Sequence, residues 1–348
     1  MKKMGLIAAA ALTAASVYAG EGIEINKTLS LGGFIDASFY SLSDDASATA
    51  DRQSFAVDQA ELDFHLNFDN GLTARVDVNG GRLASSATAG TSATNNADIE
   101  QARIDLAIDS FTITMGKFDT FIGMEALEPV DMYTSTHGLT WDLEPTQQTG
   151  IIGKYDGGMF ELGFGLVNSL MNVNPDNNDE ITFHFHGAVK PLEGLRFGLC
   201  FETGEEGPLA GGTGAAPTAA QKADAQLLSL DIQYKVASWY LGFEYVTRTI
   251  DVPLIADIED KGYELMVNYA FTEMFSLTGR YGTNEGTTGD NLTEMTLAPI
   301  LKINPNWEAK LEYRSQSGGA TYTGATPGIA SSGKKDATRI ALETTLKF

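Results

Sequence analysis

The chain has 348 residues, 46 of them acidic and 23 basic, which gives a formal net charge of −23 at pH 7. So large an acidic excess argues against nucleic acid as a partner. The single cysteine, Cys200, excludes a disulfide bond within the chain. The charge fits a protein that attracts cations or meets divalent cations, with plain solubility as the alternative explanation.

The first 19 residues have the pattern of a secretory signal peptide. Lys2 and Lys3 form a basic start, residues 4–15 are mostly apolar, and cleavage is predicted after Ala19. The apolar run is too short to span a bilayer as a helix. We therefore predict a signal peptide over residues 1–19 and one mature domain over residues 20–348.

From residue 29 onward, apolar and polar side chains alternate with a period of two, which predicts strands that each have one apolar face. Sixteen such runs are visible. They lie at residues 29–39, 61–68, 72–78, 101–108, 111–115, 151–155, 160–166, 181–189, 195–201, 228–234, 239–245, 263–269, 275–281, 295–303, 307–313 and 340–348.

Short and long connections alternate between these runs. The short turns lie near residues 69–71, 109–110, 156–158, 191–194, 235–238, 272–274 and 304–306. The longer polar segments lie near residues 43–52, 79–98, 119–148, 168–180, 203–223, 249–261, 283–290 and 316–336. An even strand number, with short turns at one end and long loops at the other, is typical of bacterial outer-membrane barrels.

Basic side chains decide which face of each strand meets lipid. Arg75, Arg103, Lys154, Arg196 and Arg280 all fall on the polar parity of their runs. A charge on the lipid face at mid-depth costs roughly 2–4 kcal/mol, so the apolar parity must face outward. The predicted fold is all-β, a transmembrane antiparallel barrel of about 16 strands in the bacterial outer membrane. A soluble β-sandwich or solenoid is the competing fold, but neither requires alternating turn lengths.

Residues 119–148, here called the third loop, form the longest interval without a strand pattern. They carry six carboxylates and no Lys or Arg, together with apolar anchors such as Phe121 and Trp141. Loops of this length inside a compact fold are usually functional or disordered. We predict an ordered, infolded third external loop that narrows a pore.

Charged residues on the third loop and in the lumen are the candidate site residues. Acidic residues of the loop would form one side of the pore constriction: Glu125, Glu128 and Asp131. Basic residues lining the pore would stand opposite them: Arg75, Arg103 and Arg196. Rings of charge of this kind select among solutes. The alternative is that these arginines pair with wall carboxylates such as Asp77, Asp105 and Glu202.

Several short segments resemble a known family. The ending Leu346-Lys347-Phe348 looks like the assembly signal of bacterial outer-membrane proteins. The segments GKFDTFIGME (116–125), MYTS (132–135), LEP (143–145) and TGI (149–151) resemble the OmpL-like β-barrel porin family. The resemblance is specific over residues 116–155 and implies an outer-membrane porin-like barrel. General porins with this strand plan are trimers, so a homotrimer is expected by analogy.

These features together predict a porin, a passive and weakly cation-selective diffusion channel for small hydrophilic solutes and ions. Its expected partners are outer-membrane lipid, lipopolysaccharide and the solutes, and no cofactor is expected. A substrate-specific, sugar-type channel is one alternative, although Tyr40 and Tyr240 are the only strand aromatics on the polar parity. A structural or adhesive barrel without an open pore is another, with loops 83–97, 208–220 and 316–333 as its contact surface.

Metal and catalytic chemistry are not predicted. His184 and His186 share one strand face, and Cys200 lies on the next strand. The sequence offers no third ligand with matching spacing, so a solvated histidine pair is expected there. No nucleophile motif such as G-x-S-x-G is present, and the chain is not expected to be an enzyme.

Overall fold

The computed structural model describes residues 22–44, 52–80, 97–170, 180–206, 223–251, 257–286, 291–318 and 335–348. Each of the sixteen predicted runs coincides with a strand, and only the runs 61–68, 181–189 and 340–348 extend one residue beyond it. The strands are β1 (Ile23–Glu24), β2 (Leu29–Asp44), β3 (Arg52–Asn67), β4 (Leu72–Gly80), β5 (Ala97–Ile108), β6 (Phe111–Asp119), β7 (Gln147–Asp156), β8 (Phe160–Val167), β9 (Thr182–Leu192), β10 (Leu195–Glu206), β11 (Ala223–Val236), β12 (Trp239–Asp251), β13 (Ile258–Ala270), β14 (Phe275–Glu285), β15 (Asn291–Asn304), β16 (Trp307–Gly318) and β17 (Lys335–Lys347). Within these ranges no helix has the length and apolarity needed to cross a membrane.

Strands β2 to β17 form a closed, sixteen-stranded antiparallel barrel. Each strand pairs with the next along the chain, and β17 returns to pair with β2. The two-residue strand β1 folds back onto β2. Closure leaves no row of unpaired backbone groups, which a membrane interior could not solvate.

The chain end seals the barrel beside Gly33. The Phe348 amide donates to the Gly33 carbonyl at 3.0 Å, and the Gly33 amide donates to the Phe348 carbonyl at 3.2 Å. A Cβ on Gly33 would lie 2.2 Å from the carbonyl oxygen of Glu61 and 3.1 Å from the Phe348 ring. Only glycine therefore fits where the last residue closes on the first barrel strand.

The two faces of the wall have opposite character, as the alternation predicts. Outward side chains are large and apolar, and Phe164 and Phe183 are 64% and 62% exposed. Inward side chains are polar or charged, and Arg280 and Lys310 are only 3% and 1% exposed. At the end with the short turns, outward aromatic rings adjoin, with Trp239 and Tyr269 centred 4.4 Å apart. An apolar band with an aromatic girdle is the outer surface that a bilayer requires.

Strand β3 is longer than its alternation predicts, because a bulge interrupts the pattern. The register with β2 steps from Asp36 opposite Gln59 to Ala37 opposite Val57, which leaves Asp58 as the extra residue. One inserted residue shifts the alternation by one position, so the sequence positions that face inward before the bulge face outward after it. The alternating run therefore stops near residue 60, although β3 begins at Arg52.

Some predicted segments lie outside the described residues. These include the signal peptide at residues 1–19, most of the loops at 83–97 and 316–333, and all of the loop at 208–220.

Candidate functional site in the barrel lumen

The third loop joins β6 to β7 and lies against inward-facing side chains of the wall. Asp119 ends β6, and Gln147 and Gln148 begin β7, so residues 120–146 make the excursion. Its only regular element among those residues is one 3-10 turn, Trp141–Leu143. Pro129 and Pro145 lack the amide hydrogen that a regular ladder needs.

An apolar patch on the inner wall anchors the base of the third loop. Ile122 and Leu143 of the loop are buried in one cluster with inward residues of β10, β11 and β12. The main wall residues of this cluster are Cys200, Ala225, Leu227, Val246 and Ile250. Inward apolar side chains break the usual polar lining of a large barrel, and here they provide a surface that the loop covers.

Arg280 of β14 holds the middle of the third loop. Its Nη1 donates to Glu125 Oε1 at 2.8 Å and to Thr134 Oγ1 at 3.0 Å. Nη2 donates to the His137 carbonyl at 3.1 Å and to Glu294 Oε1 at 2.7 Å. Burial raises the pKa of Glu125, although the Arg280 charge opposes this shift. Arg280 also donates to Thr136, so one guanidinium links strands β14 and β15 to four residues of the loop.

Two further wall residues on β16 bind the loop backbone. Glu312 accepts from the amides of Ser135 and Thr136 at 2.8 and 3.2 Å. Lys310 donates to the carbonyl of Pro129 and forms an ion pair with Glu343 at 3.2 Å. The loop thus reaches the wall across the barrel from its own stems, because β14 and β16 lie about half a turn around the ring from β6 and β7.

Strand β12 contacts the loop through a carboxylate and an aromatic ring. Thr140 Oγ1 donates to Glu244 at 3.0 Å, and Tyr133 stacks on Tyr240 at 4.7 Å between centroids. Glu144 of the loop lies next to Glu244, and burial raises the pKa of Glu144 to about 8. Two adjacent buried carboxyls are stable together only when at least one is protonated.

The third loop borders a cavity of about 1200 Å³ in the lumen. This cavity, here called the vestibule, extends from loop residues 119–133 to the short turns around Ser238, Glu273 and Pro305. Eight acidic and six basic side chains line it. They are Asp105, Asp119, Glu125, Glu128, Asp131, Glu161, Glu273 and Glu308, and Arg103, Lys154, Arg196, Lys235, Lys302 and Lys347.

The three candidate acids of the loop all border the vestibule, but in different states. Glu125 is buried against Arg280 and also accepts from the Gly138 amide at 2.6 Å. Glu128 is buried and accepts from Gln59 Nε2 at 3.1 Å. Asp131 is exposed to the vestibule. Of these three acids, only Asp131 therefore presents an accessible carboxylate to a passing ion.

The candidate arginines lie elsewhere than opposite the loop. Arg75 is on β4 and Arg103 on β5, beside the loop stems, and Arg196 is on β10. Arg103 and Arg196 line the vestibule, and Arg75 does not. Parity shows that a side chain points inward, but it does not show how far around the barrel the side chain lies.

The three arginines also pair with wall carboxylates. Arg75 Nε lies 2.7 Å from Asp77, and Arg103 Nε lies 3.2 Å from Asp105. Arg196 pairs with Asp231 at 2.5 Å, not with the expected Glu202. The basic residues that do face the loop across the lumen are Arg280 and Lys310, which the sequence analysis did not select. The strand count could have identified them, because β14 and β16 follow β6 by about half the ring.

His184 and His186 are not a solvated pair, which corrects the prediction. Both rings are buried, His184 Nδ1 lies 2.5 Å from Glu202 Oε1, and His184 Nε2 lies 2.9 Å from His186 Nδ1. Phe121 of the third loop stacks on His186 at 4.7 Å. Glu202 supplies a carboxylate that the sequence spacing did not reveal, because it lies opposite His184 on the neighbouring strand.

Comparisons with known proteins place the chain among porins. The model of the family "Putative beta-barrel porin-2, OmpL-like" matches residues 28–348. A search of curated protein sequences finds no match.

Solved structures resemble the chain in fold at low sequence identity. OmpT of Vibrio cholerae, folded in vitro, superposes with a TM-score of 0.69 at 12% identity, covering 94% of this chain and 100% of that chain. Its trimer form gives 0.67 at 13% identity, with coverage of 92% and 99%. An anion-selective porin from Comamonas acidovorans gives 0.69 at 12% identity, with coverage of 92% and 99%.

Proposed function

The chain belongs to the OmpL-like beta-barrel porin-2 family and is an outer-membrane porin, and from this premise we propose that it conducts small hydrophilic solutes and ions with a weak preference for cations. Barrels of sixteen strands leave room for an aqueous channel. The observation that carries the proposal is the vestibule of about 1200 Å³, lined by charged side chains and bounded by the third loop. Residues 1–19 act as its signal peptide, and no catalytic role is proposed.

The third loop forms the constriction in this proposal. Asp131 carries the accessible charge, whereas Glu125 is neutralised by Arg280 at 2.8 Å and Glu128 is enclosed with neutral amide donors. The vestibule has eight acidic and six basic side chains, and Glu125 and Glu128 are among the eight, so the accessible charges nearly balance and the expected cation preference is small. The Comamonas acidovorans porin of similar fold is anion-selective, which indicates that charge placement and not the fold sets the sign.

Single-channel recording of the refolded protein in a planar bilayer tests the proposal. We expect steady conductance steps and a small reversal potential on the cation side under a KCl gradient. Closure in three equal steps would support the homotrimer. A heat-modifiable, correctly folded barrel that gives no channels would overturn the porin function and favour a structural or adhesive barrel.

A sugar-type specific channel is the second candidate. The vestibule is bordered by aromatic rings of the loop and wall, including Tyr133, Tyr240 and Trp141. Aromatic faces in a polar channel can stack on sugar rings. Tyr133 and Tyr240 stack on each other at 4.7 Å, so part of this surface is already covered. Block of the ion current by millimolar maltose would favour this candidate, and an unchanged current would exclude it for that sugar.

A further inference from the structure

Three carboxylates meet in the lumen where the third loop touches the wall near its own stems. Glu61 of β3, Glu100 of β5 and Glu128 of the loop form this acidic triad, with 2%, 6% and 3% of their surfaces exposed. Each offers a carboxylate oxygen, and these oxygens all lie within 4.8 Å of one another. Three formal negative charges so close together in a buried site must be neutralised, either by bound protons or by a cation.

The protein provides only neutral donors to the acidic triad. Gln59 Nε2 donates to Glu61 Oε2 at 3.0 Å and to Glu128 Oε2 at 3.1 Å, and lies 3.5 Å from Glu100. Asn79 donates to Glu100 at 2.8 Å. In the described ranges, no Lys or Arg forms an ion pair with any of the three. Amide hydrogens satisfy single oxygens, but they do not neutralise the charge.

Two enclosed oxygens of the acidic triad have no hydrogen-bond partner. They are Glu61 Oε1 and Glu128 Oε1, and both belong to side chains that are more than nine-tenths buried. Leaving a buried charged acceptor unsatisfied costs more than the roughly 1–3 kcal/mol of a neutral one. The unpartnered oxygens are therefore a second, independent indication that a cation completes this site.

Two neighbouring groups of possible metal ligands do not combine several carboxylates with the absence of a basic partner. Glu61 also lies near Asp63 and Asp77, but there Arg75 supplies a positive charge 2.7 Å from Asp77. The group of His184, Cys200 and Glu202 contains one carboxylate, which His184 and Gln148 already contact at 2.5 and 2.7 Å. Of the three groups of possible metal ligands in the described residues, only the acidic triad combines several carboxylates with no basic partner.

We propose that the acidic triad binds one divalent cation, Ca²⁺, which ties the third loop to strands β3 and β5. Calcium takes six to eight oxygen ligands at about 2.3–2.6 Å, so oxygens on opposite sides of one ion are about 5 Å apart. The triad oxygens lie within 4.8 Å of one another, so one such ion can contact all three carboxylates. Magnesium demands a near-ideal octahedron at about 2.0–2.1 Å and usually keeps several waters, so a buried group of protein carboxylates suits calcium better. Asn79 Oδ1, also buried without a partner, is a further oxygen beside Glu100.

Glu128 is the only carboxylate of the acidic triad that comes from the third loop, so a bound ion connects the loop to the wall. Arg280 and Lys310 hold the loop to the far wall, and Ca²⁺ holds it on the near side. Removing the ion leaves repulsion between Glu128 and two wall carboxylates. The ion therefore favours the position of the loop that borders the vestibule.

Calorimetric titration of the refolded, detergent-solubilised protein with CaCl₂ tests the proposal after treatment with EGTA and desalting. The titration is run at pH 8, because a protonated carboxyl binds calcium poorly. We expect one Ca²⁺ per chain and a higher unfolding temperature on heat-modifiability gels. MgCl₂ should bind at least ten times more weakly.

Charge-neutralising variants locate the ion. Glu61→Gln and Glu128→Gln should weaken Ca²⁺ binding at least tenfold and abolish the rise in unfolding temperature. Asp131→Asn removes the same charge from the same loop outside the acidic triad and should retain both effects. If Glu128→Gln fails to give a folded band, Glu100→Gln on strand β5 takes its place.

Two results would overturn the site. The folded wild-type protein could show no calcium-dependent heat and no thermal shift. Alternatively, Glu61→Gln and Glu128→Gln could bind as tightly as Asp131→Asn, which would place the ion on other acidic groups of the chain. Neither result bears on channel activity, since conductance is measured separately and the site does not depend on the proposed conduction.

Discussion

Arg280 shows how one residue can position a whole loop. Guanidinium offers five N–H donors in a fixed planar arrangement. In this barrel the donors are shared between Glu294 of the neighbouring strand and groups on the loop, among them Glu125 and the carbonyl of His137. A lysine at this position could supply the charge but not this arrangement of directed bonds.

Replacing Arg280 with Met should release the middle of the third loop. Glu125 would lose its cation while remaining buried, and breaking a buried pair from one side costs about 3–5 kcal/mol. Glu294 would keep Arg314, with which it also pairs. We expect a lower unfolding temperature and larger, noisier single-channel currents.

Arg248→Met is the matched control for this variant. Arg248 is also a strand arginine with one carboxylate partner, Asp260 at 2.8 Å, but that pair links β12 to β13 near their outer ends. Its loss should leave the current amplitude and noise unchanged. Equal changes in both variants would show that Arg280 does not act through the loop.

Gly138 of the third loop lies directly against Glu264 of the wall. A Cβ at this position would lie 1.4 Å from Glu264 Oε2 and 2.3 Å from its Cδ, so the whole carboxyl group of the buried Glu264 would have to move. Overpacking of this kind typically costs about 1–3 kcal/mol. Gly138→Ala should therefore displace the loop, lower the unfolding temperature and change the conductance.

Gly279→Ala is the control for Gly138→Ala, because no atom lies within 4 Å of the added Cβ. It should behave as wild type in both assays. A Gly138→Ala barrel with unchanged unfolding temperature and unchanged conductance would contradict the close approach of the loop to Glu264.

At the scale of elements, the strands were predictable and the contacts of the loop were not. Lipid imposes an apolar parity on every strand, so period-two alternation locates all sixteen barrel strands and both classes of connection. The interior imposes no comparable rule. Arg75 and Arg280 have the same parity and the same chemistry, and only their places in the ring decide which one faces the loop.

The loop also carries a titratable pair that links its stability to pH. Burial raises the pKa of Glu144 from 4.5 to about 8 beside Glu244, while hydrogen bonds from Ser229 and Glu244 lower it. A carboxyl whose pKa is higher in the folded than in the unfolded state makes its full contribution to stability at pH values below its unfolded-state pKa. That stability is lost as the pH rises from about 4.5 to about 8.

Glu144→Gln should remove this dependence. The amide keeps the shape of the protonated acid and cannot ionise, so the variant should be more stable than wild type at pH 8 by roughly 2–4 kcal/mol. At pH 4 the two should unfold at similar temperatures. Heat-modifiability gels at both pH values provide the measurement.

Asp142→Asn is the control for the pH series, since Asp142 lies two residues away in the loop and is only half-buried. It should leave the difference in unfolding temperature between pH 4 and pH 8 as in wild type. An equal flattening in both variants would assign the dependence to the general acidity of the chain, not to Glu144.

At the scale of the whole molecule, the charge of the chain and the charge of the pore are different quantities. The chain carries −23 overall, but the vestibule has eight acidic and six basic side chains. Fields from charges outside the pore are screened within about 10 Å at 0.1 M salt. The selectivity should therefore follow the vestibule and not the net charge, which is why it is expected to be weak.

Two opposite substitutions in the vestibule test this expectation. Asp131 and Lys235 are both exposed there. Asp131→Asn should shift the reversal potential toward anions, and Lys235→Gln should shift it toward cations, because each removes one accessible charge from the path of the ions. Both shifts should shrink as the salt concentration is raised from 0.1 M to 1 M, where screening shortens to about 3 Å.

Lys261→Gln distinguishes a local field from a global one. Lys261 is exposed on β13 toward the long-loop end, outside the vestibule, and its ion pair is with Glu259 at 3.5 Å. The Lys261→Gln substitution changes the net charge of the chain by the same amount as Lys235→Gln. An unchanged reversal potential in this variant, beside a cation shift in Lys235→Gln, would place selectivity in the vestibule. Equal shifts in the two lysine variants would mean that the whole charge of the molecule governs which ions enter.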